Sequence, residues 1–218
     1  MELWTQWLNA IQGLLTFLSS QVGLGTGLGI VVLTLLLRTV ILPISWPIAY
    51  RGSIRQKKML RLQPELQRLK SECGDQPQIY AARVMDLYQA HGVTIMDWRS
   101  VFGSLVQMPL FLGMYQTLRA GVNGARFLWV ESLARPDPLI AMLAALTTML
   151  MMAANPDLSG QMRVMLILIP SILAALAALK FCSALAVYWT VSNCYSAVQT
   201  GVMHYVGARR IRSGVVRI

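Results

Sequence analysis

Acidic residues are scarce in this sequence, which has nine Asp and Glu among 218 residues against nineteen Lys and Arg. None of the nine falls inside a long apolar run, so no buried carboxylate pair is available for acid–base work or a proton relay. Cysteine is scarce too. Cys73, Cys182 and Cys194 are odd in number, far apart and outside any C-x-x-C spacing, which excludes a disulfide framework and a zinc site and leaves small apolar fillers. His91 and His204 each stand alone, so no metal is assigned. There is no glycine-rich phosphate loop and no Ser/His/Asp or Cys/His constellation. The chain therefore reads as a non-enzyme without nucleotide or other cofactor.

What is abundant is hydrocarbon. Hydrophobic residues make up 56% and charged residues 13% of the chain, and the mean hydropathy is +0.54, too apolar for a soluble domain of this size. The expected class is an all-α polytopic membrane protein forming one domain over 1–218. In that setting a net charge of +10 marks cytoplasmic loops and contacts with anionic lipid headgroups. DNA is not an expected partner, since the chain lacks a soluble basic face.

Residues 2–20 carry Trp4, Trp7, Leu8, Ile11, Leu14, Leu15 and Leu18 at helical spacing with polar residues opposite, which predicts an amphipathic helix in the membrane interface. No basic segment precedes it and no uniformly apolar stretch follows. A cleaved signal peptide is not expected, and an uncleaved signal-like start is the alternative. Five spans are predicted after it, over 24–46, 101–118, 139–154, 164–179 and 181–206. The third and fourth, at sixteen residues each, give about 24 Å of helix against a hydrocarbon core of about 30 Å, so the bilayer is expected to thin around them.

The long polar segment 50–99 divides at "SECGDQPQ" into the arms of a helical hairpin, with Gly74 after the first arm, Asp75 as N-cap and Pro77 in the first turn of the second. Leu62, Leu66 and Leu69 would face Val84, Leu87 and Tyr88. Pro43 and Pro47 are expected to end the first span. Asp137 and Pro138 read as N-cap and first-turn proline of the third, and Pro109 and Pro170 fall inside spans. Nine Lys and Arg in the hairpin segment, four in the tail 207–218 and Arg163 in the 155–163 loop place those parts in the cytoplasm. The N-terminus is then outside and the C-terminus inside. With no transit peptide visible, a bacterial plasma (inner) membrane is the expected location.

Arg38 interrupts the first span eight residues before Trp46, about 12 Å along a helix. An arginine there costs about 2.5–3.5 kcal/mol, so it should face a partner or water. With no Asp or Glu in any span, the expectation is a hydrated cavity lined by neutral polar groups: Thr34, Gln107, Thr147, Thr148, Ser192 and Asn193. The alternative is an arginine that snorkels to cytoplasmic headgroups beside Pro43. Met149, Met151 and Met152 are read as packing rather than as an adaptable sliding surface.

The ordered set "GLGIVVLTLLLRTVILPIS", "LQPELQRLK", "LYQAHGV", "QMPLFLGMYQTL", "FLW", "PDP" and "VYWTVSN" resembles the YidC/Oxa/Alb family of membrane protein insertases, from Gly25 to about Gln199. The likeness is to a short form lacking the large external domain. It implies a five-transmembrane-helix core around a hydrophilic groove in the inner leaflet, closed toward the outside, with a cytoplasmic hairpin after the first core helix. It also implies nascent membrane proteins as clients, received alone or beside the Sec translocon. The basic hairpin and tail point to the ribosome or anionic lipid as partners, with positive-inside anchoring as the alternative reading of the same charges. The family's groove arginine matches Arg38, its last-helix aromatic matches Trp189, and its "QMP" glutamine matches Gln107. From the residues alone, a small transporter or channel and a non-inserting assembly scaffold stay open.

Overall fold

The computed structural model describes residues 2–74, 76–94, 98–122, 124–154 and 160–212, with the backbone alone at 99–106, 160–162 and 207–212. Among the described residues the fold is eight helices and no strand: α1 (Glu2–Thr16), α2 (Gly25–Arg61), α3 (Gln63–Cys73), α4 (Pro77–Ala90), α5 (Trp98–Gly121), α6 (Pro138–Ala153), α7 (Gly160–Ala178) and α8 (Ser183–Arg212).

The central helix is α8. Its first turns, Ser183–Tyr188, are buried on every side, with α2, α5, α6 and α7 all packed against it. On α6 the buried residues Ile140, Ala141, Ala144, Thr147 and Thr148 follow a three-to-four spacing. On α7 the buried residues are Ser171, Ala174 and Ala178, small side chains that let α6 and α7 approach closely. The opposite faces show Met142, Leu146 and Leu150 on α6, and Ile172, Leu173 and Leu176 on α7, all exposed. So broad an apolar surface fits hydrocarbon as its solvent. In α2, only 28% of the most apolar window is buried, which separates it from the core helix of a soluble protein. Among the described residues α2 is the one helix long and apolar enough to cross a bilayer by itself, and Pro138–Ala153 and Arg163–Ala178 are apolar but shorter.

Helix α1 is followed by a π-type turn at Phe17–Gln21, closed by Val22 N–H on the Phe17 carbonyl at 3.1 Å. Part of its predicted lipid face meets protein instead: Ile11, Leu15 and Leu18 are buried in the core. Gly113 of α5 makes this docking possible, since a Cβ there would lie 2.7 Å from Trp7 Nε1 and 2.9 Å from Ile11 Cδ1. The Trp7 and Trp4 indoles donate to the Pro109 carbonyl and to Gln116 Oε1, each at 3.3 Å.

Several boundaries differ from expectation: the second predicted span, 101–118, lies within the longer α5, Trp98–Gly121. Pro43 and Pro47 do not end the first span, because α2 runs through both to Arg61. A helix in hydrocarbon has no water to satisfy a broken end, so the loss of two backbone donors costs less than unwinding. The first hairpin arm is accordingly the end of α2 plus α3, joined at Leu62. The helix expected over 164–179, the fourth predicted span, starts earlier, at Gly160, and ends at Ala178, nineteen residues or about 28 Å in all, its apolar part being Arg163–Ala178. The fifth does not stop at 206 but continues as helix to Arg212. Asp75, residues 155–159 of the loop and 213–218 of the tail lie outside the described residues.

Gly74 has the positive φ of +53° expected after the first arm, and Pro77 opens α4. Asp137 caps α6, its Oδ1 accepting from Ile140 N–H at 2.9 Å, with Pro138 in the first turn. Between α5 and α6 the loop folds over the end of the bundle. Phe127 and Val130 pair through backbone bonds of 3.0 and 2.8 Å. The Phe127 ring lies on Gly27, where a Cβ would sit 2.0 Å from Cδ2. The loop also caps α8: the Arg135 carbonyl accepts from Ser183 N–H and hydroxyl, and the Leu133 carbonyl accepts from Ala184 N–H. Loop carbonyls thereby satisfy two backbone N–H groups and one hydroxyl at the helix start that would otherwise be buried unpaired.

Candidate functional site

Four helices build an open cavity of about 500 Å³. Arg38 comes from α2, Gln107, Met108 and Phe111 from α5, Met151 from α6, and Tyr188, Trp189, Ser192, Asn193 and Ser196 from α8. The Arg38 Nε–H donates to Ser192 Oγ at 2.7 Å, and an Nη2–H donates to the same oxygen. One turn further along α8, the Ser196 hydroxyl donates to the Ser192 carbonyl at 3.0 Å. One wall is aromatic. Phe111 packs edge-on to Trp189, with centroids 6.2 Å apart, and tilted against Tyr188 at 6.4 Å. Gln107 Nε2 donates to the Tyr188 hydroxyl at 3.4 Å across the α5–α8 contact.

No carboxylate lines the cavity, and the one ion pair among the described residues, Arg83–Glu72 at 3.4 Å, lies on the exposed hairpin. Arg38 is therefore half-buried with its charge answered only by a serine hydroxyl. A guanidinium has five N–H donors in a planar fork. Donors beyond those on Ser192 are available to water or to an incoming acceptor.

Of the predicted lining, Arg38, Gln107, Trp189, Ser192 and Asn193 come together here. Thr34, Thr147 and Thr148 do not line it. Thr34 is fully buried with its hydroxyl on the Ile30 carbonyl at 2.6 Å, and Thr147 donates to Leu143 and Ala144. The physical reason is that a threonine in an apolar helix satisfies its hydroxyl on its own preceding turn and needs no water. Thr148 has a supporting place: it donates to the Ala144 carbonyl and accepts from Asn193 Nδ2, both at 2.7 Å, tying α6 to α8. Met108, Phe111, Tyr188 and Ser196 were missed, and Met151, read as packing, lines the cavity as well. For Phe111, Tyr188 and Ser196 the signal was helical spacing, since Phe111 stands four residues from Gln107, and Tyr188 and Ser196 each stand four from Ser192.

A family model described as "60Kd inner membrane protein" matches residues 17–209. The chain belongs to this family. It is the family that the motifs resemble, the YidC/Oxa/Alb insertases. Membrane protein insertase MisCA of Bacillus subtilis is 32% identical over 199 residues, covering 86% of this chain and 73% of that protein. Membrane protein insertase YidC 1 of Halalkalibacterium halodurans is 33% identical over 207 residues, covering 87% and 74%. For membrane protein insertase YidC of Laribacter hongkongensis the match is 31% identical over 178 residues, 79% of this chain but only 31% of that longer protein. The span that the family model matches takes in every residue that lines the Arg38 cavity.

Proposed function

We propose that this chain is a membrane protein insertase or membrane chaperone. It receives hydrophobic segments of nascent membrane proteins in the Arg38 cavity and releases them into the bilayer, with no covalent chemistry. The observation that carries this reading is Arg38 itself, a half-buried cation without a carboxylate partner among the described residues, set in a cavity of about 500 Å³ between polar α8 side chains and an aromatic wall.

A client's polar tail meets its largest barrier when it leaves water for hydrocarbon. A wet cavity partway across splits that barrier, and Arg38 offers an acidic tail a charge partner there. The client's apolar segment can meanwhile slide out along exposed apolar helix faces, and its burial in lipid supplies the driving force. In this reading there are five crossings, with the N-terminus outside and the α2–α4 hairpin and C-terminus in the cytoplasm. Sec translocon, ribosome and anionic lipids are partners of the same proposal. The folded 124–137 loop, with Val130 and Leu133 buried, favours a cavity closed on the outer side and speaks for insertion over a channel.

The test is protease protection of an acid-tailed single-span client in liposomes carrying the purified protein, wild type beside Arg38→Ala. Protection by wild type and its loss in the variant are expected. No protection by folded wild type would refute unaided insertion.

A further inference from the structure

Beyond the Arg38 cavity, α2 carries Arg51, Arg55 and Lys58, spaced i, i+4 and i+7 and so on one face of the helix. All three, with Ile54, line a second concave site of about 370 Å³ whose far wall is Gly92, Val93 and Thr94. That wall is built. Gly92 has φ +60° and its N–H bonds the Gln89 carbonyl at 3.0 Å, while Val93 N–H bonds the Tyr88 carbonyl at 2.8 Å. These two bonds, one spanning three residues and one spanning five, form the Schellman closure of α4. Val93 is buried, which pins the turn against the body.

None of the lining residues is acidic. Among the described residues no carboxylate pairs with the three cations, the single ion pair being Arg83–Glu72. Three like charges within about 10 Å along one helix face repel one another unless an anion joins them. Arg51 directly follows the apolar stretch of α2, so with α2 across the bilayer the site lies at headgroup depth. Ile54 and Val93 add an apolar floor beside the charges. Multiple cations, a concave wall and an apolar edge at the water–lipid boundary suit a phosphate ester bearing acyl chains; a nucleic acid backbone needs an extended open stripe.

We propose that Arg51, Arg55 and Lys58, closed over by the 92–94 turn, bind the phosphate headgroup of an anionic phospholipid and so fasten the end of the hairpin to the membrane surface. The proposal rests on α2 crossing the bilayer and not on insertase activity.

The experiment titrates the purified full chain in detergent with phosphatidylglycerol, phosphatidylcholine and water-soluble glycerophosphoglycerol, reading bound molecules by native mass spectrometry. Phosphatidylglycerol is expected to bind the wild type at least about tenfold more tightly than the Arg51→Gln/Arg55→Gln/Lys58→Gln variant. Arg68→Gln/Lys70→Gln, which removes two exposed hairpin charges outside the site, should bind like wild type. The single Arg51→Gln change, at an exposed position where folding is not at stake, should weaken binding about threefold or more. Equal loss in the Arg68/Lys70 variant would reduce the effect to net charge and overturn the site. Equal binding of phosphatidylcholine, or of the chain-free headgroup, would overturn lipid recognition. Displacement of bound phosphatidylglycerol by a short RNA hairpin at equal concentration would overturn it in favour of nucleic acid.

Discussion

Replacing Arg38 by Ala removes one charge from a site where only Ser192 answers it, and the size of the effect follows from where a client's acid would sit. A carboxylate about 5 Å from the guanidinium gains roughly 3 kcal/mol at an effective dielectric of about 20, and below about 1 kcal/mol in bulk water. An open cavity lies between those limits. The expected loss is therefore about 1–3 kcal/mol, or about 5- to 150-fold in insertion rate, for a client with an acidic translocated tail. The same client with its acids changed to Asn or Gln should lose almost nothing. The assay is the time course of protease protection in liposomes for both proteins and both clients, which forms a double-mutant cycle. Arg38→Lys should fall between, since it keeps the charge and gives up the fork that holds Ser192. Equal defects for acidic and neutral tails would refute the electrostatic role and leave Arg38 with a packing or folding role.

Three further outcomes test the architecture. Gly27→Ala should destabilise the fold by about 1–3 kcal/mol, because its Cβ meets the Phe127 ring at 2.0 Å; Phe127→Ala should recover part of the loss, as thermal unfolding in detergent would read. Asp137→Ala deletes the α6 cap and should cost about 0.5–2 kcal/mol in the same measurement. Asn193→Ala leaves the buried Thr148 oxygen without its donor and should cost about 1 kcal/mol, with acidic and neutral clients affected alike.

The helices and the composition of the site were legible because both follow from local rules. An apolar stretch of helical length has to be a helix in hydrocarbon, and Asp-Pro before such a stretch marks its start, as Asp137 and Pro138 do. An unpaired Arg38 had to meet neutral polar groups, and Gln107, Ser192 and Asn193 are among the few available. What was not legible depends on orientation and competition. Thr34 and Thr147 look like cavity residues until their hydroxyls turn back on their own helices, a choice set by side-chain rotamer and not by residue type. Tyr188 sits beside Trp189 in sequence, and one residue along a helix turns the side chain by about 100°, so only packing decides whether one or both reach the cavity. Pro43 and Pro47 suggest a helix end wherever water can take over the freed carbonyls, and the surroundings, not the prolines, decided otherwise.

The unbroken run of α2 through those prolines has a mechanical consequence. Arg38 and the hairpin base share one rod of 37 residues, about 55 Å long, so any load on the hairpin is applied to the helix that holds the cavity's cation. Yet each proline deletes a rung of the hydrogen-bond ladder, and both deletions fall between Arg38 and Arg51. Bending stiffness is lowest there. The rod is thus weakest just below the cavity, so strain carried up from the hairpin would be taken there before it reached the Arg38–Ser192 contact.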